Sequence, residues 1–199
     1  MYPYITLKQV FFKGTAASLM IALGVAVLLK QPVIGAFLFA LGLLTICEKG
    51  FLLFTGKCGV VPWMPNYKSH RIFEILIVNV FMGWIIGYLI SFTNPDFAIA
   101  ATEKIANWNP NYMISFMQAF FCGAIMFIAV DLYSLPREEK LGILFGVPIF
   151  IFCGFQHCIA NSILLGMAVT FNPMIFAHII GNWIGAIATA GIFFKSSGY

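Results

Sequence analysis

Charge is the scarcest property of this sequence, because only 9% of its residues are charged whereas 61% are hydrophobic. The mean hydropathy is +0.96. A soluble domain of ordinary composition carries about 25% charged residues. A chain with so few cannot cover a globule with polar side chains, so the lipid bilayer is predicted to surround most of its surface. The basic residues form no patch or stripe, which argues against a nucleic-acid partner.

Paired cysteine spacings are also absent. None of the five cysteines forms a CxxC motif, so the sequence predicts neither a disulfide framework nor a metal site, and it indicates no cofactor. Between Met1 and Lys13 no short apolar core precedes a small-residue cleavage site, so the first apolar segment is predicted to be a retained span. No nucleophile–base pair is visible, which argues against a membrane enzyme.

Six apolar segments are long enough to cross a bilayer, which needs about 20 apolar residues per helix. They predict an all-α polytopic membrane protein with a single transmembrane domain over residues 1–199. The second segment is interrupted at Glu48-Lys49-Gly50 and the fifth at Cys153 to Asn161. The six segments cover approximately Gly14–Leu29, Val33–Trp63, Ile72–Phe92, Tyr112–Tyr133, Leu141–Phe171 and Met174–Phe194.

The two interruptions occupy corresponding places, each in the middle segment of three. Two such interrupted spans indicate an inverted repeat with a site near the bilayer midplane. The half-repeats are predicted at about 1–95 and 108–199. Unwound backbone at that depth is tolerated only when it is buried in protein or lines a water-filled cavity. Both interruptions are therefore expected to face one pathway.

Lysines and arginines are distributed unequally between the two ends of the predicted spans. This bias predicts an even number of crossings, with both termini in the cytoplasm of a bacterial-type plasma membrane. Only Lys30 and Lys104 fall on the side away from the cytoplasm. The residues on the cytoplasmic side are Lys8, Lys13, Lys68, Arg71, Arg137, Lys140 and Lys195.

Polar side chains in the first interruption are candidates for function, because polar groups at bilayer depth usually face a cavity or a partner. Thr55 offers a hydroxyl that can donate to an anion, although it could instead bond the carbonyl of its own helical turn. Lys57 could attract anions or extend toward the cytoplasmic interface. Glu48 and Lys49 are adjacent and could neutralise each other.

The second interruption contains His157, whose imidazole can donate, accept or carry a proton near neutral pH. Its place in a glycine-containing interruption favours a functional role over simple packing. Asn161 and Asn182 could bond the freed backbone groups or orient His157. His178 in the sixth segment is expected to be a packing residue.

Three short motifs resemble the formate/nitrite transporter family. They are Leu53-Phe54-Thr55 in the second segment, Gly154-Phe155-Gln156-His157-Cys158-Ile159-Ala160-Asn161 in the fifth, and Gly181-Asn182-Trp183-Ile184-Gly185 in the sixth. The resemblance covers nearly the whole chain. It implies six transmembrane helices in an aquaporin-like inverted 3+3 repeat, with spans two and five broken, and a homopentamer in which each protomer has its own pore.

The resemblance also implies roles for residues at matching positions. Thr55 resembles the pore threonine and His157 the central pore histidine. Asn161 belongs to the histidine motif, and Asn182 resembles an asparagine of the pore vestibule. Lys104 is the candidate for a lysine of the outer vestibule.

The same resemblance implies two apolar constrictions on either side of the pore histidine. Leu53 and Phe150 resemble the outer constriction, whereas Phe39 and Leu43 fall where the cytoplasmic constriction lies. One position departs from the family pattern, because Gln156 precedes the histidine where the family usually has a glutamate. The long N-terminal amphipathic helix of many relatives is not found.

The predicted function is a channel or transporter for small monovalent anions or their conjugate acids, such as formate or nitrite. Movement is passive or proton-coupled, because a bare anion should not cross dry constrictions cheaply. The substrate is expected to take a proton near Thr55 and His157 and to cross neutral. The alternatives are a hydrosulfide-selective channel, an aquaporin-like conduit for neutral solutes and a membrane subunit without flux. The aquaporin-like alternative is weakened because the Asn-Pro dipeptides of the sequence lack the paired Asn-Pro-Ala pattern.

Overall fold

The computed structural model describes residues 5–63, 70–134 and 140–196 of the chain. All regular structure in these ranges is helical, and a 3-10 turn at Phe54–Gly56 separates the second helix from the third. The α-helices are α1 (Leu7–Lys30), α2 (Pro32–Glu48), α3 (His70–Thr93), α4 (Asp96–Ala106), α5 (Tyr112–Ser134), α6 (Lys140–Phe152), α7 (Cys158–Met167) and α8 (Met174–Ser196).

Helices α1, α3, α5 and α8 are long and apolar enough to cross a bilayer, and α2, α6 and α7 are shorter apolar helices. Large apolar side chains such as Ile77, Phe81 and Phe92 are exposed along the long helices. Such a surface needs lipid or another apolar partner. The prediction of an all-helical integral membrane protein is confirmed, whereas the six crossings and the inverted repeat stay predictions.

Helices α2 and α6 end in the same way. Gly50 and Gly154 follow them with φ values of +61° and +70°, in the left-handed region that glycine enters without a steric penalty. The N–H of the next residue, Phe51 or Phe155, donates to the carbonyl five residues earlier at 2.9 Å. This Schellman arrangement stops each helix. The chain then continues without helical structure through 51–53 and 155–157.

The second interruption is shorter than predicted. It is predicted from Cys153 to Asn161, but α7 already begins at Cys158 because the His157 side chain caps its N-terminus. The second apolar segment is also predicted to resume as a helix toward Trp63, whereas residues 57–63 form turns.

Helix α4 has no counterpart among the predicted segments. It occupies the connection between the third and fourth of them, and it begins with Asp96, whose carboxylate is favourable in a first helical turn. Lys30, at the end of α1, pairs with Asp96 at 2.9 Å. The predicted charge bias also counted Lys68 and Arg137, which lie outside the described residues.

Glycines bring α8 and α5 into close contact. A Cβ atom added at Gly123 would collide with the Asn182 carbonyl oxygen, and one added at Gly185 would collide with the Phe120 carbonyl oxygen. Small residues of this kind let membrane helices approach at backbone distance. The close contact places α8 beside the second interruption and lets its side chains reach the interrupted backbone.

Candidate functional site

The two interruptions meet at Thr55 and His157. Thr55 Oγ1 lies 3.0 Å from His157 Nε2, and both side chains are buried. Thr55 is in the 3-10 turn that follows α2, and His157 is the residue before α7. The structure therefore brings together the two polar residues that the motifs single out, although 102 positions separate them.

Hydrogen bonding determines which nitrogen of His157 carries the proton. The Ala160 N–H donates to His157 Nδ1 at 3.1 Å, so Nδ1 must hold a lone pair. In the neutral imidazole the proton is then on Nε2, which donates to Thr55 Oγ1. A doubly protonated ring would place two hydrogens against each other at Nδ1. The cap of α7 thus favours neutral His157 with a fixed donor, and it leaves the Thr55 hydroxyl hydrogen available for another acceptor.

Two phenyl rings cover the imidazole on one side. The Phe150 ring stacks on it with a centroid separation of 5.7 Å, and the Phe39 ring lies edge-on at 6.4 Å. The two phenyl rings are 5.9 Å apart. All three rings line a cavity of about 660 Å³, here called the large cavity, within the size range of small-molecule sites. Phe39 and Phe150 therefore form an apolar part of the cavity lining directly beside His157.

A second, small cavity lies on the other side of the pair. Its volume is about 30 Å³, and its lining includes Leu43, Leu53, Gly56 and Lys57. Leu43 and Leu53 are almost fully buried. Because Thr55 lies between two residues of this lining and His157 lines the large cavity, the hydrogen bond between them separates the two cavities.

The four constriction residues are grouped differently from the predicted pairs. Sequence analysis pairs Leu53 with Phe150 and Phe39 with Leu43, but the structure places Phe39 against Phe150 and puts Leu43 and Leu53 together at the small cavity. The physical reason is helical geometry. Phe39 and Leu43 are one turn apart on α2, so they lie at successive depths along the pathway and each meets a residue from another element.

Lysines lie at both cavities. Lys104 of α4 lines the large cavity together with Glu103 and Gln118, and its role as the vestibule lysine stays a prediction. Lys57 lines the small cavity. Glu48 does not pair with its neighbour Lys49, because it pairs with Lys140 at 2.8 Å. Each of the two cavities therefore has a lysine in its lining.

Asn182 has a supporting position rather than a place in a cavity wall. Its Oδ1 accepts from the Cys158 N–H, and its Nδ2 donates to the carbonyls of Ala119 and Gln156, each at 2.8 Å. The side chain is fully buried and lines neither cavity. Of the two roles that sequence analysis left open, bonding the freed backbone is the one that this geometry supports.

Asn79 on α3 makes the same three contacts at the first interruption, and sequence analysis overlooks it. Its Oδ1 accepts from the Phe54 N–H at 2.8 Å, and its Nδ2 donates to the carbonyls of Gly14 and Leu52 at 3.0 Å. A lone amide in the middle of an apolar span is a sequence signal for function, and it could have identified this residue.

A row of hydrogen-bonded polar side chains extends from the wall of the large cavity into α8. Asn161 Nδ2 lies 2.8 Å from Gln156 Oε1 and 2.9 Å from His178 Nδ1. Gln156 and Asn161 line the cavity, whereas His178 is fully buried behind it. Within the described residues no group of three His, Cys, Asp or Glu side chains could hold a metal ion.

Comparison with known proteins gives relatives of one kind. No protein-family model matches the chain. An uncharacterized transporter of Bacillus subtilis (strain 168), YrhG, is 25% identical over 172 residues, which cover 78% of this chain. The chain spans about 65% of the length of that curated relative.

Two solved structures share the fold. A pentameric formate channel with formate bound superposes with a TM-score of 0.72 at 17% identity, covering 96% of each chain. An FNT family ion channel superposes with a TM-score of 0.75 at 15% identity, covering 94% of this chain and 89% of that one. The resemblance predicted from the motifs is therefore confirmed, and the chain has the fold of formate channels and FNT family ion channels.

Proposed function

We propose that the chain forms a membrane channel or transporter for small monovalent anions or their conjugate acids. The observation that carries this proposal is the buried bond between Thr55 and His157, which lies between two cavities and behind apolar constrictions. A formate channel and an FNT family ion channel share the fold, and a transporter is related in sequence. Each of these relatives is a transport protein, and the proposal requires no covalent chemistry.

The cavities would concentrate anions before the constrictions. Lys104 and Lys57 contribute positive charge at the large and small cavity, while Glu103 also lines the large one. Positive charge raises the local concentration of anions. The constrictions then oppose a bare anion, because an unpaired charge in an apolar environment is costly. Passage therefore requires that the anion be protonated or receive hydrogen bonds at the constriction.

The central pair can supply such hydrogen bonds. His157 Nε2 and the Thr55 hydroxyl each carry a hydrogen, and the first is bonded to Thr55 Oγ1. A carboxylate or nitrite oxygen entering between them would accept from both groups. The substrate would then leave toward the other cavity, alone or with a proton, while the cap at Nδ1 keeps the imidazole oriented.

We also propose that the chain is an inverted repeat. Gly50, Leu52 and Phe54 correspond in their contacts to Gly154, Gln156 and Cys158, an offset of about 104 residues, and Asn79 corresponds to Asn182. The same pattern of a left-handed glycine, an extended segment and an asparagine clamp supports two related halves. Only the second half has a histidine at the central position, where the first has Leu53.

The assembly is proposed to be a homopentamer with a pore in each protomer and both termini in the cytoplasm. The pentameric formate channel of the same fold supports the homopentamer. The lysine and arginine bias supports the cytoplasmic position of both termini. Cross-linking in native membranes would test the oligomer, and reporter fusions at each terminus would test the orientation.

Flux through proteoliposomes tests the function directly. We expect formate or nitrite to enter liposomes that contain the wild type, whereas glycerol does not. His157→Asn should reduce this flux about tenfold, as expected for one lost hydrogen bond at the barrier, and should change its pH dependence. Cys153→Ser is the matched control, because Cys153 is exposed in the same interruption.

The other outcomes identify the alternatives. Flux of hydrosulfide with exclusion of formate would indicate a hydrosulfide channel, and flux of glycerol would indicate a conduit for neutral solutes. If no solute permeates and His157→Asn behaves as the wild type does, the proposed function is wrong.

A further inference from the structure

His178 is a buried histidine that the proposed function does not use. It lies one helical turn before Asn182, so the two side chains share a face of α8. His178 lines neither cavity. It contacts two residues that line the large cavity, since it hydrogen-bonds Asn161 and its ring centroid lies 4.9 Å from that of Trp108 at an interplanar angle of 83°.

The hydrogen bonds in this wall have a defined direction. Asn161 Nδ2 has two hydrogens and no lone pair, and it lies within bonding distance of Gln156 Oε1 and His178 Nδ1. Both partners must therefore accept. His178 then carries its proton on Nε2, which is buried and has no hydrogen-bond partner within the described residues.

The three groups depend on one another. If the Asn161 amide turned over, its oxygen would face the oxygen of Gln156, and that amide would have to turn as well. Gln156 Nε2 donates a long hydrogen bond of 3.4 Å to the Gly154 carbonyl. This bond opposes a turn of the Gln156 amide only weakly. The acceptor at His178 Nδ1 is thus the group that holds the Asn161 nitrogen in the wall.

This orientation gives the large cavity a particular chemistry. Asn161 lies one helical turn after His157. Both of its amide hydrogens bond to Gln156 and His178, so Oδ1 is the polar atom that remains free. Gln118 lines the same cavity, and its Oε1 is buried without a partner in the described part of the chain. A buried acceptor without a partner, such as Gln118 Oε1, favours a ligand that brings a hydrogen-bond donor. A bare anion has no donor, whereas its conjugate acid has one.

We propose that His178 is a positioning residue that holds the Asn161 oxygen toward the large cavity and so makes this wall a subsite for the protonated, hydrogen-bond-donating form of a small acid. This proposal rests on the proposed function. It adds that the substrate binds beside His157 in its protonated form. His178 itself does not contact the substrate.

Replacing His178 tests this role. In formate uptake by proteoliposomes at acidic pH, His178→Leu should raise the half-saturating concentration about tenfold, the effect of one hydrogen bond, and change the maximal rate less. His178→Asn can accept at the same place through its Oδ1, and it should restore the wild-type value to within about twofold. Ile175→Val, another buried site on α8, should leave this concentration unchanged.

The opposite results would overturn the proposal. It is wrong if folded His178→Leu saturates as the wild type does, or if His178→Asn is as impaired as His178→Leu. The latter result would indicate a packing role alone. Thermal unfolding in detergent verifies that each variant is folded.

A binding measurement separates this proposal from the proposed function. Formate is titrated against tryptophan fluorescence in detergent at acidic and at neutral pH, and Trp108→Phe assigns the signal to the large cavity. If the wild type carries no flux, the proposed function is wrong. Saturable quenching at acidic pH that His178→Leu weakens and His178→Asn restores would still support the subsite. Quenching that is absent, or equal in all variants, would refute it.

Discussion

At the scale of single residues, Thr55 is the acceptor of the hydrogen bond from His157 Nε2. Thr55→Val keeps the shape of the side chain but leaves the buried His157 Nε2–H without a partner, at a cost of about 1–3 kcal/mol. We expect Thr55→Val to unfold at a lower temperature and to lose most of its formate flux. Thr55→Ser retains the hydroxyl and should keep most of both. Wild-type flux in folded Thr55→Val would show that the hydroxyl is dispensable.

Sequence analysis identified Thr55 and His157 because polar residues within apolar segments are conspicuous and because their motifs resemble a family. It did not identify Asn79, a single amide in an otherwise continuous apolar span. It also paired the constriction residues differently, since Phe39 and Leu43 are neighbours on one helix but face different partners. Such partners depend on how helices cross, which local sequence does not encode.

At the scale of elements, each interruption is clamped by one asparagine from a long helix, Asn79 from α3 and Asn182 from α8. Asn79→Leu would leave the Phe54 N–H and the Leu52 carbonyl without partners, whereas the Gly14 carbonyl still accepts from the Ser18 hydroxyl. We expect a loss of stability of about 2 kcal/mol or more, since each unsatisfied buried group costs about 1–3 kcal/mol.

Thermal unfolding in detergent measures this loss, and flux measurements should show that transport fails as well. Ile77→Leu is the control, because Ile77 lies on the same helix but is exposed. If Asn79→Leu is as stable as the control, the clamp does not hold the interruption.

Hydropathy predicts α3, α5 and α8 closely, whereas α1 begins at Leu7 and not at the predicted Gly14. The fourth segment was predicted at Tyr112–Tyr133, and α5 occupies Tyr112–Ser134. Helix α4 was not predicted, since it is short and its residues are less apolar. The start of α7 was placed too late because a histidine that caps a helix through its ring nitrogen gives no clear signal in the sequence.

At the scale of the whole molecule, ion pairs join elements at the two ends of the helical bundle. Lys30 pairs with Asp96 at one end, and Glu48 pairs with Lys140 at the other. The hydrogen bond from Lys30, together with its charge, lowers the pKa of the exposed Asp96 carboxyl below its usual value of 3.8. The pair therefore stabilises the fold above that pH, and its contribution is lost as the pH falls through the lowered pKa.

Asp96→Asn should remove this dependence. We expect a small decrease in the unfolding temperature at neutral pH, because exposed pairs contribute little, and no difference from the wild type once Asp96 is protonated. Unfolding measured in detergent from neutral to strongly acidic pH provides the comparison. High salt should reduce the difference at neutral pH. A difference that persists after protonation would mean that the charge of Asp96 is not its cause.

Within the described residues, the contact between Thr55 and His157 is the buried side-chain hydrogen bond that joins the two interruptions. The geometry makes His157 Nε2 the donor in this bond and leaves the Thr55 hydroxyl hydrogen for another acceptor. Proton hopping through an imidazole requires one ring nitrogen to take up a proton while the other releases one. His157 Nδ1 accepts from the Ala160 N–H and so cannot take part in such a relay. A proposed substrate that crosses together with a proton therefore has to carry that proton itself.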